Sequence, residues 1–155
     1  MILNRQHSVR VSVGGLDKFL KRTLRRLRLP PGALIICLVD NAEMARWNRS
    51  YRGKKGPTDV LSFPTNGAQL NGPTLAKPNR PKSVRAARSD SYLGDIAIAP
   101  AVARRNARRL GRTFDEEMRI LILHGILHLM GYDHESDDGQ MDRREQRLRR
   151  ECGLA

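Results

Sequence analysis

Three of the chain's four histidines fall in one short run, His124-Gly125-Ile126-Leu127-His128-Leu129-Met130-Gly131-Tyr132-Asp133-His134. On a helix of about 3.6 residues per turn, His124 and His128 project from one face a turn apart, the spacing of a two-histidine metal grip. Gly131 then supplies a residue that tolerates the left-handed backbone found just past many helix ends, so the chain can swing His134 back toward the other two. Three imidazoles meeting at one point suit a metal such as zinc with its fourth position open to water, the pattern of catalytic rather than structural zinc. The bland reading is that three core or surface histidines merely lie close together, and it leaves their spacing and the intervening glycine to coincidence.

The generic motif HxxxHxxGxxH differs from the zinc-peptidase signature HExxHxxGxxH at one fixed position. Peptidases of that type use the glutamate as general base, and here Gly125 stands in its place. Peptide hydrolysis by that route would need a glutamate from elsewhere. Phosphodiester cleavage needs an activated water and positive charge where the phosphate gathers negative charge. The charge is available: 29 Lys and Arg against 16 Asp and Glu give a net +13 and a pI near 11.0. That imbalance favours polyanions, nucleic acid first, over a merely supercharged soluble surface. Aromatic residues are only 5%, so composition alone shows no stacking platform for single strands.

The elements that must hold the histidines are legible around them. Thr113 and Glu116 fit a capping box, and Asp115, Glu116 and Glu117 suit the positive end of a helix dipole. From Met118 to Met130 the sequence is apolar on nearly every face, which predicts a helix buried centrally. Upstream, Ile2 to Val13 suits one or two short strands. Leu16, Phe19, Leu20, Leu24 and Leu27 recur at helical spacing among Lys18, Lys21, Arg22, Arg25 and Arg26, until Pro30-Pro31-Gly32 ends the pattern. Ala33 to Val39 reads as a buried strand, and Asp40 with Glu43 as the cap of a helix carrying Met44 and Trp47. Val60 to Phe63 and Leu93 to Ala99 read as two more strands of one sheet.

Between them, residues 66 to 91 are rich in Gly, Pro, Asn and Ser and carry Lys77, Arg80, Lys82, Arg85 and Arg88. This stretch reads equally as a mobile basic flap over a substrate groove or as a solvated insertion. Pro100 to Leu110 predicts a helix displaying Arg104, Arg105, Arg108 and Arg109, with proline in the first turn. After the histidines, Ser136 can cap a last helix with Asp137 and Asp138 in its first turn and Arg143, Arg144, Arg147, Arg149 and Arg150 beyond. These arginines read as a largely solvated face.

The expected architecture is a single α+β domain over residues 1–155, a small mixed sheet of about four strands packed with about five helices, the histidine helix zincin-like and buried across the sheet. No stretch is long and apolar enough for a membrane span, no export signal is recognisable, and Cys37 and Cys152 form neither a disulfide framework nor a CxxC site. A cytoplasmic protein without membrane association is expected.

The run His124 to His134, together with Tyr51-Arg52-Gly53-Lys54, Pro57-Thr58-Asp59-Val60-Leu61-Ser62-Phe63-Pro64 and Leu93-Gly94-Asp95-Ile96, resembles the YbeY endoribonuclease and rRNA maturation factor family in nearly the whole chain and in the family's order. The resemblance implies a single-strand-specific, metal-dependent endoribonuclease acting in 3′-end maturation of 16S rRNA and in ribosome quality control. It implies one Zn2+ held by His124, His128 and His134 plus water. Arg52 matches a functionally important arginine and is physically suited to a bidentate grip on the scissile phosphate. The implied partners are single-stranded RNA and rRNA, the small ribosomal subunit and assembly factors such as the GTPase Era.

Asp59 and Asp95 either orient ligands or cap turns, the structural role being favoured. The general base stays open; Asp133 lies beside a ligand, but an aspartate in a tight turn more often bonds its own backbone. Two other classes remain: a ribosome-associated RNA-binding assembly factor whose metal is mainly structural, and a zinc metallopeptidase.

Overall fold

Leu34–Leu38 and Gly94–Ile98 lie side by side in the middle of a sheet and are buried at every residue, which is why neither alternates polar and apolar residues; Asp95 is the one charged residue in the pair. The computed structural model describes residues 1–65, 91–132 and 138–154. Among these the chain order is β1 (Ile2–Asn4), α1 (Val13–Arg26), β2 (Leu34–Leu38), α2 (Asn41–Arg52), β3 (Val60–Pro64), β4 (Gly94–Ile98), α3 (Pro100–Leu110), α4 (Phe114–Leu129) and α5 (Gln140–Glu151). The sheet order is β1-β2-β4-β3, with β1, β2 and β4 parallel and β3 antiparallel to β4. This is the α+β arrangement of four mixed strands and five helices that the sequence predicts. No described helix is long and apolar enough to cross a membrane.

Strand geometry sends alternate side chains to opposite faces. Leu34, Ile36, Leu38, Ile96 and Ile98 form one core with Leu16, Phe19, Leu20 and Leu24 of α1, the apolar residues of α4, and Met141 and Leu148 of α5. Ile35, Cys37, Val39, Leu61, Phe63 and Ala97 face the other way, against Met44 and Trp47 of α2 and Val102 of α3. Phe63 also meets the Trp47 ring edge-on at 5.9 Å and the Tyr51 ring at 4.9 Å.

Helix α4 begins on the expected capping box: the Glu116 amide donates to Thr113 Oγ1 at 3.1 Å, and the Thr113 amide donates to Glu116 Oε2 at 2.8 Å. Those bonds to Thr113 hold the Glu116 carboxyl below its ordinary pKa. The buried Glu117 accepts from Arg112 at 2.7 Å. At the other end, Gly131 has φ +97°, its amide donates to the His128 carbonyl and the Tyr132 amide to the Leu127 carbonyl, closing the helix in a Schellman turn.

Three local expectations change. Of Ile2 to Val13 only Ile2–Asn4 is a strand; the buried Gln6 side chain then exchanges hydrogen bonds with the Val9 backbone and curls the segment toward α1. Asp40 is the N-cap residue of α2 but makes no side-chain capping bond, its Oδ1 lying 3.4 Å from both the His7 amide and Ser8 Oγ. Glu43 meanwhile pairs with Arg5 at 3.1 Å. Helix α5 starts at Gln140 behind Gly139 at φ +80°, so Asp138 precedes the helix and Asp142 is the acid of its first turn. Ser136, Asp137 and the basic stretch 66–90 lie outside the described residues.

Replacing Thr113 by alanine should cost about 1 kcal/mol, read by urea unfolding at neutral pH. Glu116→Ala should cost less and in a pH-dependent way. Because its folded pKa is depressed, the contribution is present above the ordinary carboxylate range and lost as pH falls through the folded value. A Glu116→Ala difference of the same size in acid as at neutral pH would contradict this.

Candidate metal centre

His124 and His128 are half-exposed residues on a helix otherwise buried from Ile120 to Leu129 at all but these two positions. Their Nε2 atoms lie 3.1 Å apart, with ring centroids at 4.7 Å and planes inclined by 69°. The outer ring nitrogen of His124 is anchored: Nδ1 lies 2.9 Å from Oε2 of Glu145 on α5. Glu145 is 6% exposed, and its other oxygen accepts a hydrogen bond from Arg149 one turn later. Burial raises the Glu145 carboxyl, but the hydrogen bond and charge of His124 and those of Arg149 outweigh it and hold the pKa below its ordinary value.

The consequence is a defined tautomer. A carboxylate accepts only, so His124 Nδ1 carries the hydrogen and, in the neutral ring, Nε2 presents its lone pair toward His128. Two facing nitrogens at 3.1 Å suit either a hydrogen bond, His128 Nε2–H donating to the His124 lone pair, or two ligands of one metal ion. Ligands of one tetrahedral zinc, each at about 2.0–2.1 Å, stand roughly 3.3 Å apart, so the donor pair fits that metal. The Arg149–Glu145–His124 chain is the carboxylate–histidine support that metal-ligating histidines ordinarily have. The predicted third ligand, His134, and Asp133 lie outside the described residues. Among the described residues no three His, Cys, Asp or Glu side chains are grouped closely enough to hold an ion.

Glu145 is the residue that sequence reasoning missed. Its signal is present: it shares an i, i+4, i+7 stripe with Met141 and Leu148, a carboxylate where the pattern calls for an apolar residue. Such a position carries a charge only when a partner satisfies it.

Gly125 has a packing reason to be glycine. A Cβ there would stand 2.8 Å from Cδ1 and 2.9 Å from Cγ2 of Ile96, a side chain with no exposed surface. The Gly125 carbonyl accepts from Ser62 Oγ of β3 at 3.2 Å. The position where the peptidase signature has its glutamate therefore faces the sheet and has no room for a side chain.

The remaining candidates are placed less centrally. Arg52 is exposed in the last turn of α2, whose Met44 and Trp47 pack on the sheet face opposite α4. The segment after it runs directly into β3, the strand that touches Gly125. Asp59 Oδ1 accepts from the Val60 amide at 2.8 Å and Oδ2 from Asn106 at 3.1 Å, tying β3 to α3. Asp95 is buried and hydrogen-bonded by the Tyr92 hydroxyl. Of these bonds only that from Asn106 joins two elements; the other two are local.

A family model described as "Endoribonuclease YbeY" matches residues 1–153. Proteins named Endoribonuclease YbeY from Sulfurovum sp. (strain NBC37-1), Koribacter versatilis and Acidothermus cellulolyticus are 34%, 38% and 41% identical to the chain. The matches cover 98%, 96% and 77% of this chain and 90%, 83% and 69% of theirs, in the same order. A solution structure of a Thermotoga maritima protein is similar with a TM-score of 0.57 and 26% identity, over 98% of this chain and 89% of its own.

Glu145→Gln should leave the fold nearly intact and weaken zinc retention by about 10- to 100-fold, measured by competition with a chelator; unchanged retention would remove Glu145 from the site. Gly125→Ala should lower stability despite the roughly 1 kcal/mol that alanine gains in helix propensity, since overpacking a core costs about 1–3 kcal/mol. In a double-mutant cycle with Ile96→Ala the loss should shrink; purely additive effects would place the clash elsewhere.

Proposed function

The chain belongs to the YbeY endoribonuclease family, and on that premise we propose that it is a zinc-dependent, single-strand-directed endoribonuclease of rRNA processing. Its reaction is hydrolysis of a phosphodiester in 3′-end maturation of 16S rRNA and in ribosome quality control, carried out in the cytoplasm beside the small subunit and assembly factors such as Era. The observation that carries the reading is the convergence of the His124 and His128 Nε2 atoms at 3.1 Å with Glu145 bonded behind them.

His124, His128 and His134 hold the ion. Zinc so bound supplies Lewis acidity toward water and toward a phosphoryl oxygen. Glu145 keeps the His124 proton on Nδ1 and the Nε2 lone pair turned to the site, and Arg149 adds to the pull of His124 itself that holds the buried Glu145 carboxyl below its ordinary pKa. Arg52 offers a planar pair of N–H donors to the phosphate oxygens as negative charge gathers there. A net charge of +13 draws the polyanion to the surface. Gly125 brings no carboxylate, and its packing on Ile96 stands against the peptidase reading.

His128→Ala should lose both zinc, by metal analysis, and cleavage of single-stranded RNA. Arg52→Glu should retain zinc and lose cleavage. An Arg52→Glu protein as active as the parent would remove Arg52 from the chemistry. Trace cleavage surviving in a folded His128→Ala protein would favour an RNA-binding factor with a structural metal.

A further inference from the structure

Helix α5 presents a second stripe beside its buried one. Met141, Glu145 and Leu148 face inward, and Gln140, Arg144 and Arg147 follow one another at i, i+4 and i+7 on an adjoining face. That face walls a concavity of about 260 Å³, completed by Tyr132 and Arg143. Tyr132 is the residue immediately beyond the Gly131 turn that ends the histidine helix, and Arg144 immediately precedes the carboxylate bonded to His124. The concavity is thus lined in part by the neighbours in sequence of the turn that ends the histidine helix and of the carboxylate bonded to His124.

Its lining has a definite chemistry: three guanidinium groups, one amide and one phenol ring, with no carboxylate among the described residues. An arginine on a merely solvated helix face is commonly matched by an acid a turn away. Arg144 instead has Gln140 and Leu148 four residues to either side. Arg147 has Glu151 four residues on, but that carboxylate is 3.4 Å from Arg26 of α1. Arg143 donates to the Asp138 carbonyl at 3.0 Å, which fixes it at the start of the helix. Arginine forks match phosphate oxygens, an aromatic ring stacks on any base, and a glutamine offers both donor and acceptor to a base edge.

We propose that this concavity is the subsite for a nucleotide flanking the cleaved bond, its phosphate taken by Arg144 and Arg147 and its base set against Tyr132. The proposal rests on the endoribonuclease reading and gives that activity a sequence-tolerant grip on single strands close to the metal ligands. Arg144 and Arg147 stand about 4.5 Å apart along the helix axis, so both act on one short stretch of backbone.

The test compares two double variants of the zinc-loaded protein that change net charge equally: Arg144→Gln with Arg147→Gln, and Arg104→Gln with Arg105→Gln on the exposed face of α3. The probe is a short single-stranded RNA. The α5 pair should raise KM about tenfold with kcat and zinc content near those of the parent, the pattern of weakened substrate binding. It should also reduce the salt dependence of binding by about 1.4 in log–log slope, roughly 0.7 for each single-strand phosphate that an arginine no longer neutralises. The α3 pair should change neither by comparable amounts. Equal effects of the two pairs, or no effect of the α5 pair, overturn the subsite while leaving the nuclease reading in place. A parent that neither binds nor cleaves RNA overturns both.

Discussion

The seating of α4 on β4 through Gly125 and Ile96 is the constraint from which the rest of the molecule follows. With no Cβ at position 125, the helix backbone comes down on an isoleucine that has no exposed surface. A helix fixed so closely on one side of its axis has its other sides fixed as well, and the half-exposed pair at 124 and 128 is what remains at the margin of the core. The same seating brings the Gly125 carbonyl to Ser62 on the edge strand. Close packing in an apolar core is stiff, and the two imidazoles inherit that stiffness through the backbone that carries them.

Electrostatics completes what packing begins. A buried carboxylate is costly, and a buried ion pair commonly stabilises no more than an apolar pair of similar volume would. Glu145 at 6% exposure, with Arg149 on one oxygen and His124 on the other, is therefore poorly explained by stability alone. It is well explained by the need to hold one imidazole in one tautomer. Burial by itself would favour the neutral acid, which could donate to Nδ1 instead of accepting from it; the His124 hydrogen bond and charge oppose that first, and Arg149 adds to them.

Much of the fold is readable in the sequence because its signals are local. The apolar spacing of Leu16, Phe19, Leu20 and Leu24, the reciprocal bonds of Thr113 and Glu116, and the proline at the start of α3 each sit within a few residues of what they determine. The misses involve partners distant in sequence or caps without a side chain. Asp40 is a good cap by type, but its carboxylate also faces His7 and Ser8, more than 30 residues away. The start of α5 depends on the left-handed backbone of Gly139, while Ser136 offers the stronger side-chain signal. In the site, the histidine pair is legible from its i, i+4 spacing. Glu145 shows in the sequence only as a carboxylate in an apolar stripe, and which residue satisfies it does not show, because its partner is 21 residues earlier in the chain. Gly125 stands out in the sequence only as a missing glutamate, and the sheet beneath it explains the glycine.

The pairing of His124 with Glu145 also orders events in time. A polypeptide emerges from its N-terminus, so the histidine pair is made before the carboxylate that orients it, and α5 is the last of the described helices to appear. Until that helix folds back on α4, the His124 ring can take either tautomer. Helix α5 thus works as a latch on the centre, and a chain cut short before residue 145 would carry the histidines without the means to aim them.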